Sequence, residues 1–286
     1  MLGPMARTVQ DCATSLEVIA GSDGIDDRQP YKWAPRTVKF GEEIRKHLAN
    51  PTEKPLAGMK IGVLKEGFED PMTDPNIAAA SLSAIAQMGE LGAEIKEISI
   101  PLHRDSGMIW MVALPMAGTT QVCWQIRRGG NHCCSLNALR RLGRNSLKKR
   151  SMLRPWRTEY LSARLVIARA FREYFACPRT NLLRKLNDSY EAALRGVNVL
   201  VMPTTIFPPV KIMEEGGRTL GPLKLLMRTA GATYNTATFN SSGHPGLSLP
   251  VGFVPAQDDG SLWLPTGLQI VGVKFEGLTC LKVAES

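Results

Sequence analysis

Apolar residues recur at helical spacing over residues 6–21, where Val9, Ala13, Leu16 and Ile19-Ala20 share a face and Gly21 stands where a helix-ending glycine belongs. Residues 22–58 are rich in Asp, Pro and Gly, which predicts a long loop with one short helix near 39–49. Lys60-Ile61-Gly62-Val63-Leu64 reads as a short strand. Asn76 to Leu91 reads as an alanine-rich helix closed by Gly92, and Glu94-Ile95-Lys96-Glu97-Ile98 as the next strand. Strand, helix and strand in that order predict a parallel βαβ unit. Residues 105–125 have a Met-rich helical pattern. Helical periodicity returns over 158–196, with Pro178 expected to split it in two.

The run Asn198-Val199-Leu200-Val201-Met202 lies between Gly196 and Pro203, the pattern of a strand buried on both faces. A helix is expected at 222–238. Strands follow at 246–250 and 267–272, with a turn at Asp258-Asp259-Gly260-Ser261. The whole predicts one α/β domain, layered α/β/α around a mixed β-sheet.

Composition narrows the classes. The chain has 286 residues, 44% hydrophobic and 21% charged, so it has the means to bury a core. No run approaches the roughly 18 apolar residues of a membrane span. The first residues carry neither a basic n-region nor an apolar h-region. Six cysteines without a C-x-x-C spacing read as reduced thiols, and a cytoplasmic location is expected. Neither a metal nor a cofactor is expected.

Charge is concentrated. Between Arg127 and Lys185 stand sixteen Lys and Arg against two acids, so that segment carries +14 of a total of +9 and the remainder carries −5. A basic block of this kind suits an anionic partner. No nucleic-acid-binding motif accompanies it, and nucleic acid is not expected as a partner. Residues 127–157 read as a basic, irregular insertion.

There is no G-x-S-x-G elbow, no H-E-x-x-H and no phosphate-cradling glycine loop. Asn240-Ser241-Ser242-Gly243-His244 sets a serine near a histidine, as nucleophile and base would be. Neighbours two apart in a loop seldom meet triad geometry, and the competing reading is a turn into the next strand.

Several blocks resemble the amidase signature family. They are Gly3-Pro4-Met5-Ala6-Arg7-Thr8-Val9 and Val199-Leu200-Val201-Met202-Pro203-Thr204, then Tyr234-Asn235-Thr236-Ala237. Gly243-His244-Pro245-Gly246-Leu247-Ser248-Leu249-Pro250 and Leu264-Pro265-Thr266-Gly267-Leu268-Gln269-Ile270-Val271-Gly272 complete the series in order. The nearest flavour is that of acetamidase-like and nitrile-pathway amidases.

The resemblance implies hydrolysis of carboxylic amides to acid and ammonia by a Ser–cis-Ser–Lys triad in a glycine-rich signature. In such proteins that signature precedes the Gly-Pro-Met-Ala-Arg segment, which begins here at Gly3. The expectation is therefore an incomplete amidase signature fold, residues 1–286 forming its C-terminal portion, with no catalytic residue and no activity alone.

The resemblance also places Thr204, Asn235, Phe239 and His244 near the wall of a small-molecule amide pocket. Their structural readings are a loop cap for Thr204, core for Phe239 and a satisfied loop histidine for His244. A partner chain completing the sheet is expected, because strands 199–202 and 268–271 would otherwise show unpaired edges. The alternative function is a non-catalytic interaction module using the basic 127–185 segment.

Overall fold

Five strands form one mixed sheet in the computed structural model, which describes residues 3–21, 39–49, 52–109, 182–211, 231–257 and 259–286. The described elements belong, apart from residues 19 and 182, to one unit built from residues 1–18, 39–110 and 183–286. They are α1 (Val9–Ile19), α2 (Phe40–Leu48), β1 (Lys60–Leu64), α3 (Pro75–Glu90) and β2 (Glu94–Ile98), then α4 (182–194) and β3 (Val199–Pro203). After them come α5 (Ala237–Ser242), β4 (Gly246–Pro255), β5 (Trp263–Gly272) and α6 (Gly277–Glu285). The expected helix over 105–125 is described only to residue 109, and the expected helices over 158–196 only from 182. The basic insertion at 127–157 lies outside the described residues.

The strand order is β2-β1-β3-β5-β4. β1 runs parallel to β2 and to β3, whereas β5 is antiparallel to both β3 and β4. The expected mixed sheet and βαβ unit are present. Strand β3 is buried at every position, and so is fully covered on both faces. On one face α4 packs Leu186, Tyr190 and Leu194 against Leu200, Met202 and Val271. On the other, Ile85 and Met88 of α3 and Cys280 and Val283 of α6 meet Ile61, Val199, Val201 and Ile270.

Local chemistry explains the boundaries. Asp74 caps α3, its side chain accepting from the Asn76 N–H at 2.8 Å, and Pro75 takes the first helical position, where no N–H is needed. Of the helix expected over 222–238, residues 222–230 lie outside the described residues, and within the rest α5 begins only at Ala237. Gly231 at φ +90° opens a run of turns that continues to Thr236, a conformation a helix does not hold.

Strands β4 and β5 are each ten residues long, beyond the expected 246–250 and 267–272. The prolines within them sit where no ladder donor is required. Pro250 and Pro255 lie on edge strand β4, with a register shift between Pro250 and Gly252, and Pro265 lies beyond the segment of β5 that pairs with β3. Helix α6 was not anticipated.

Unpaired edges on 199–202 and 268–271 are not what the structure shows. β3 lies between β1 and β5, and β5 between β3 and β4. The edges are β2, which carries Glu94, Lys96 and Glu97, and proline-bearing β4, both of which discourage edge pairing.

Two tight constraints organise the sheet's centre. A Cβ on Gly62 of β1 would stand 2.8 Å from Ile98 Cγ1 and 2.9 Å from Leu200 Cδ2, so only glycine lets β1 pass between its neighbours' side chains. Beyond β1, Glu66 is 1% exposed and ties the turns after β1 and β2 together. Its carboxylate accepts from Ser99 Oγ at 2.6 Å and from the Ile100 N–H at 2.8 Å. Burial pushes its pKa upward, but these hydrogen bonds and the Arg104 charge outweigh burial and hold it below the ordinary carboxylate range.

Gly62→Ala is expected to lower stability by about 1–3 kcal/mol through overpacking, read as a fall in the urea midpoint. Because the folded pKa of Glu66 is depressed, its contribution is complete above the ordinary carboxylate range and is lost as pH falls through the folded value. Glu66→Gln is therefore expected to destabilise the chain at neutral pH and to flatten its acid unfolding curve. A parallel shift of the whole curve would contradict this assignment.

Candidate functional site

Strand order places the site. From β1 the chain crosses through α3 to β2 on one side, and β3 lies on β1's other side with α4 on the opposite face. The carboxyl ends of β1 and β3 therefore flank a reversal of strand order, the place where open α/β sheets gather ligand-binding loops.

Asn235 fills that crevice. Its Nδ2 donates to the Pro203 carbonyl at 2.7 Å and to the Gly67 carbonyl at 3.0 Å, joining the loops that leave β3 and β1. With both N–H groups committed to carbonyls, Oδ1 is the acceptor that faces His103 Nε2 at 2.9 Å. His103 thus carries its proton on Nε2, and its Nδ1 accepts from the Tyr190 hydroxyl. All three side chains are fully buried. Burial lowers the His103 pKa against the opposing Asn235 bond and Glu66 charge, in keeping with a neutral ring. Burial likewise raises that of Tyr190. Tyr234, from the same turn as Asn235, donates its hydroxyl to the Glu66 carbonyl at 3.3 Å.

A second group lies behind this crevice. Gly243, in the left-handed region at φ +79°, reverses the chain after α5, so that His244 Nδ1 reaches Ser242 Oγ at 2.9 Å. Sequence spacing argued against that meeting, and the glycine turn is what permits it. His244 Nε2 stands 3.7 Å from Glu191 and has no hydrogen-bond partner. Burial pushes the His244 pKa down to about 4; the Lys274 charge adds to this and Glu191 opposes it. Lys274 Nζ is held by Glu191 at 2.9 Å and Asn187 Oδ1 at 2.7 Å. Phe239 packs among Tyr190 and His244, with ring centroids 5.0 and 6.4 Å away.

Thr204 occupies a different position. It follows β3, its N–H bonds the Gly267 carbonyl at 2.8 Å, and its hydroxyl meets Ser248 Oγ at 2.7 Å in solvent. Of the four residues expected in a pocket wall, Asn235, Phe239 and His244 are buried behind the strand ends, and Thr204 alone reaches the open side. His103 and Tyr190 escaped sequence reading. Nothing in Leu102-His103-Arg104 marks a buried imidazole, and Tyr190 reads only as one apolar position on a helix.

Among the described residues, no cluster of His, Cys, Asp or Glu has the makings of a metal site, and no helix is long and apolar enough to cross a membrane.

The chain is 30% identical over 290 residues to the enantioselective amidase of Rhodococcus rhodochrous, a match covering 99% of this chain and 52% of that protein. It is 29% identical to a glutamyl-tRNA(Gln) amidotransferase subunit from Pseudomonas aeruginosa, over 99% of this chain and 53% of the relative. The chain thus spans about half the length of the curated relatives it matches. Among solved structures, the glutamyl-tRNA(Gln) amidotransferase subunit from Thermotoga maritima superposes with a TM-score of 0.66 at 23% identity, over 99% of this chain and 51% of that one. A bacterial aryl acylamidase of the amidase signature family superposes with the same score at 19% identity, over 99% and 51%. These two likenesses establish the fold. The Amidase family model matches residues 1–281, and the chain belongs to that family.

Proposed function

We propose that this chain serves the hydrolysis of carboxylic amides to acid and ammonia by supplying one wall of the amide pocket, and that on its own it hydrolyses none. Family membership over residues 1–281 is the observation that carries the amide chemistry. Thr204 is the contact residue in this reading. Asn235, Phe239 and His244 hold the wall behind it, since the polar groups of Asn235 are all engaged in internal bonds.

Inactivity of the isolated chain is supported by the state of its most suggestive groups. Ser242 has a histidine beside it, but a ring whose pKa is pushed down to about 4 is a weak base at neutral pH. Its far nitrogen lacks a carboxylate at hydrogen-bond distance. The Lys274 ammonium is engaged by a carboxylate and an amide, unlike a lysine poised to take a proton.

A partner polypeptide belongs to the same reading. One relative is itself named as a subunit of an amidotransferase. A cytoplasmic setting agrees with the free thiols of Cys12 and Cys280.

Incubated with acetamide or benzamide, the purified chain is expected to release no ammonia above the buffer control, and a fluorophosphonate probe is expected to label no serine. Ammonia release that disappears in Ser242→Ala, with covalent labelling of Ser242, would overturn the reading.

A further inference from the structure

On the face of the sheet that carries α4, Gly246 and Ser248 of β4 are exposed. Beyond Met202, the positions on that face are Thr204 after β3, Gly267 and Gln269 on β5, and Gly246 and Ser248 on β4. Gln269 pairs in register with Ser248 on one side and with Met202 on the other.

Three observations single out this place. The Gln269 side chain is 5% exposed, yet its Oε1 has no hydrogen-bond partner, a costly state for a buried acceptor. The Thr204 and Ser248 hydroxyls meet at 2.7 Å over Gly267, where an added Cβ would stand 2.9 Å from Ser248 Oγ and 3.2 Å from Thr204 Oγ1. A Cβ on Gly246 would lie 3.6 Å from Gln269 Nε2. Gly267 and Gly246 thus form a floor onto which the two hydroxyls and the Gln269 amide pack directly.

The donor and acceptor count defines what this floor suits. Gln269 Oε1 accepts and needs an N–H, and its Nε2 adds donors beside Gly246. Two hydroxyls carry two protons, of which their mutual bond uses one, so the other is free to be donated to an oxygen. A carboxamide presents an N–H and a carbonyl oxygen side by side. An ester or a tertiary amide has no N–H to offer, and a carboxylate would set negative charge against Oε1. We propose that Gln269, Ser248 and Thr204 form a recognition patch for primary and secondary carboxamides, with Gln269 Oε1 receiving the amide N–H and the hydroxyl pair donating to the carbonyl. This assignment rests on the proposed amide function and adds Gln269 and Ser248 to it as specificity-determining residues.

Binding, not turnover, tests it. Titrations of the purified full chain, followed by the chemical shifts of its backbone amides, would use benzamide, N,N-dimethylbenzamide and benzoate as probes. Benzamide is expected to bind saturably, and the other two about three- to tenfold more weakly, the worth of one neutral hydrogen bond. Ser248→Ala, at an exposed position where folding is safe, is expected to weaken benzamide binding by a similar factor. Gln269→Leu is expected to abolish the discrimination between benzamide and its dimethyl analogue, with spectral dispersion confirming that this variant folds. Equal binding of the two amides by the wild-type chain would overturn the patch. So would the absence of benzamide binding, or unchanged affinity in both variants. Ammonia release would overturn only the claim that the chain alone is inactive, so the two readings fail separately.

Discussion

A buried backbone carbonyl must find a donor, and at the carboxyl ends of β1 and β3 two of them share one. The Gly67 and Pro203 carbonyls project where the strands have stopped pairing, in a crevice closed to solvent. Asn235 answers both with a single amide group. No other side chain does this equally well there. Aspartate has no donors and would set its charge against two carbonyl dipoles, and glutamine would carry its amide a bond too far. Once both protons of Asn235 are committed, its oxygen fixes the proton of His103, and His103 in turn fixes the direction of the Tyr190 hydroxyl. One carbonyl-satisfaction problem thereby orders three loops and helix α4.

The same logic keeps charge out of the centre. His103 and His244 are both driven toward the neutral form by burial, although each has a carboxylate in its field. The carboxylate that does remain ionised, Glu66, has its oxygens occupied by a hydroxyl and a backbone N–H. The Lys274–Glu191 pair beside His244 is partly buried, whereas the pairs on α2 and between Glu69 and Arg104 lie at the surface, where water screens them and they contribute little to the fold. The interior is ordered by neutral hydrogen bonds and apolar packing.

Elements with strong local signals were legible in the sequence. Strands β1, β2 and β3 were found to within a residue, because a short apolar or alternating run bounded by Gly or Pro leaves few other readings. Helix α3 announced itself by period and by Gly92 at its end. The hairpin strands run further than their apolar patterns indicate, and the sheet order shows that Pro250 and Pro265 face no partner that needs their missing N–H. The site was half legible. A family resemblance pointed to Thr204, Asn235, Phe239 and His244, but which of them faces solvent depends on strand parity and on α4. His103 and Tyr190, separated by 87 residues, carry no mark of their contact.

The division between buried and open polar groups follows from this arrangement. A side chain whose bonds are all internal resists displacement, and so makes good backing for a site but has nothing left to offer a ligand. Asn235 is in that state. Thr204 and Ser248 have bonded to each other and still hold one proton in reserve, and Gln269 holds an acceptor that nothing in the chain satisfies. Leaving such groups unmet costs folding free energy, about 1–3 kcal/mol for a buried acceptor. That cost is recovered when an incoming molecule brings the missing donor. The stiff crevice at β1 and β3 and the unmet groups beside it, at the exit of β3 and on β5 and β4, are then complementary halves of one design, the first holding the strand ends still so that the second keeps a fixed spacing.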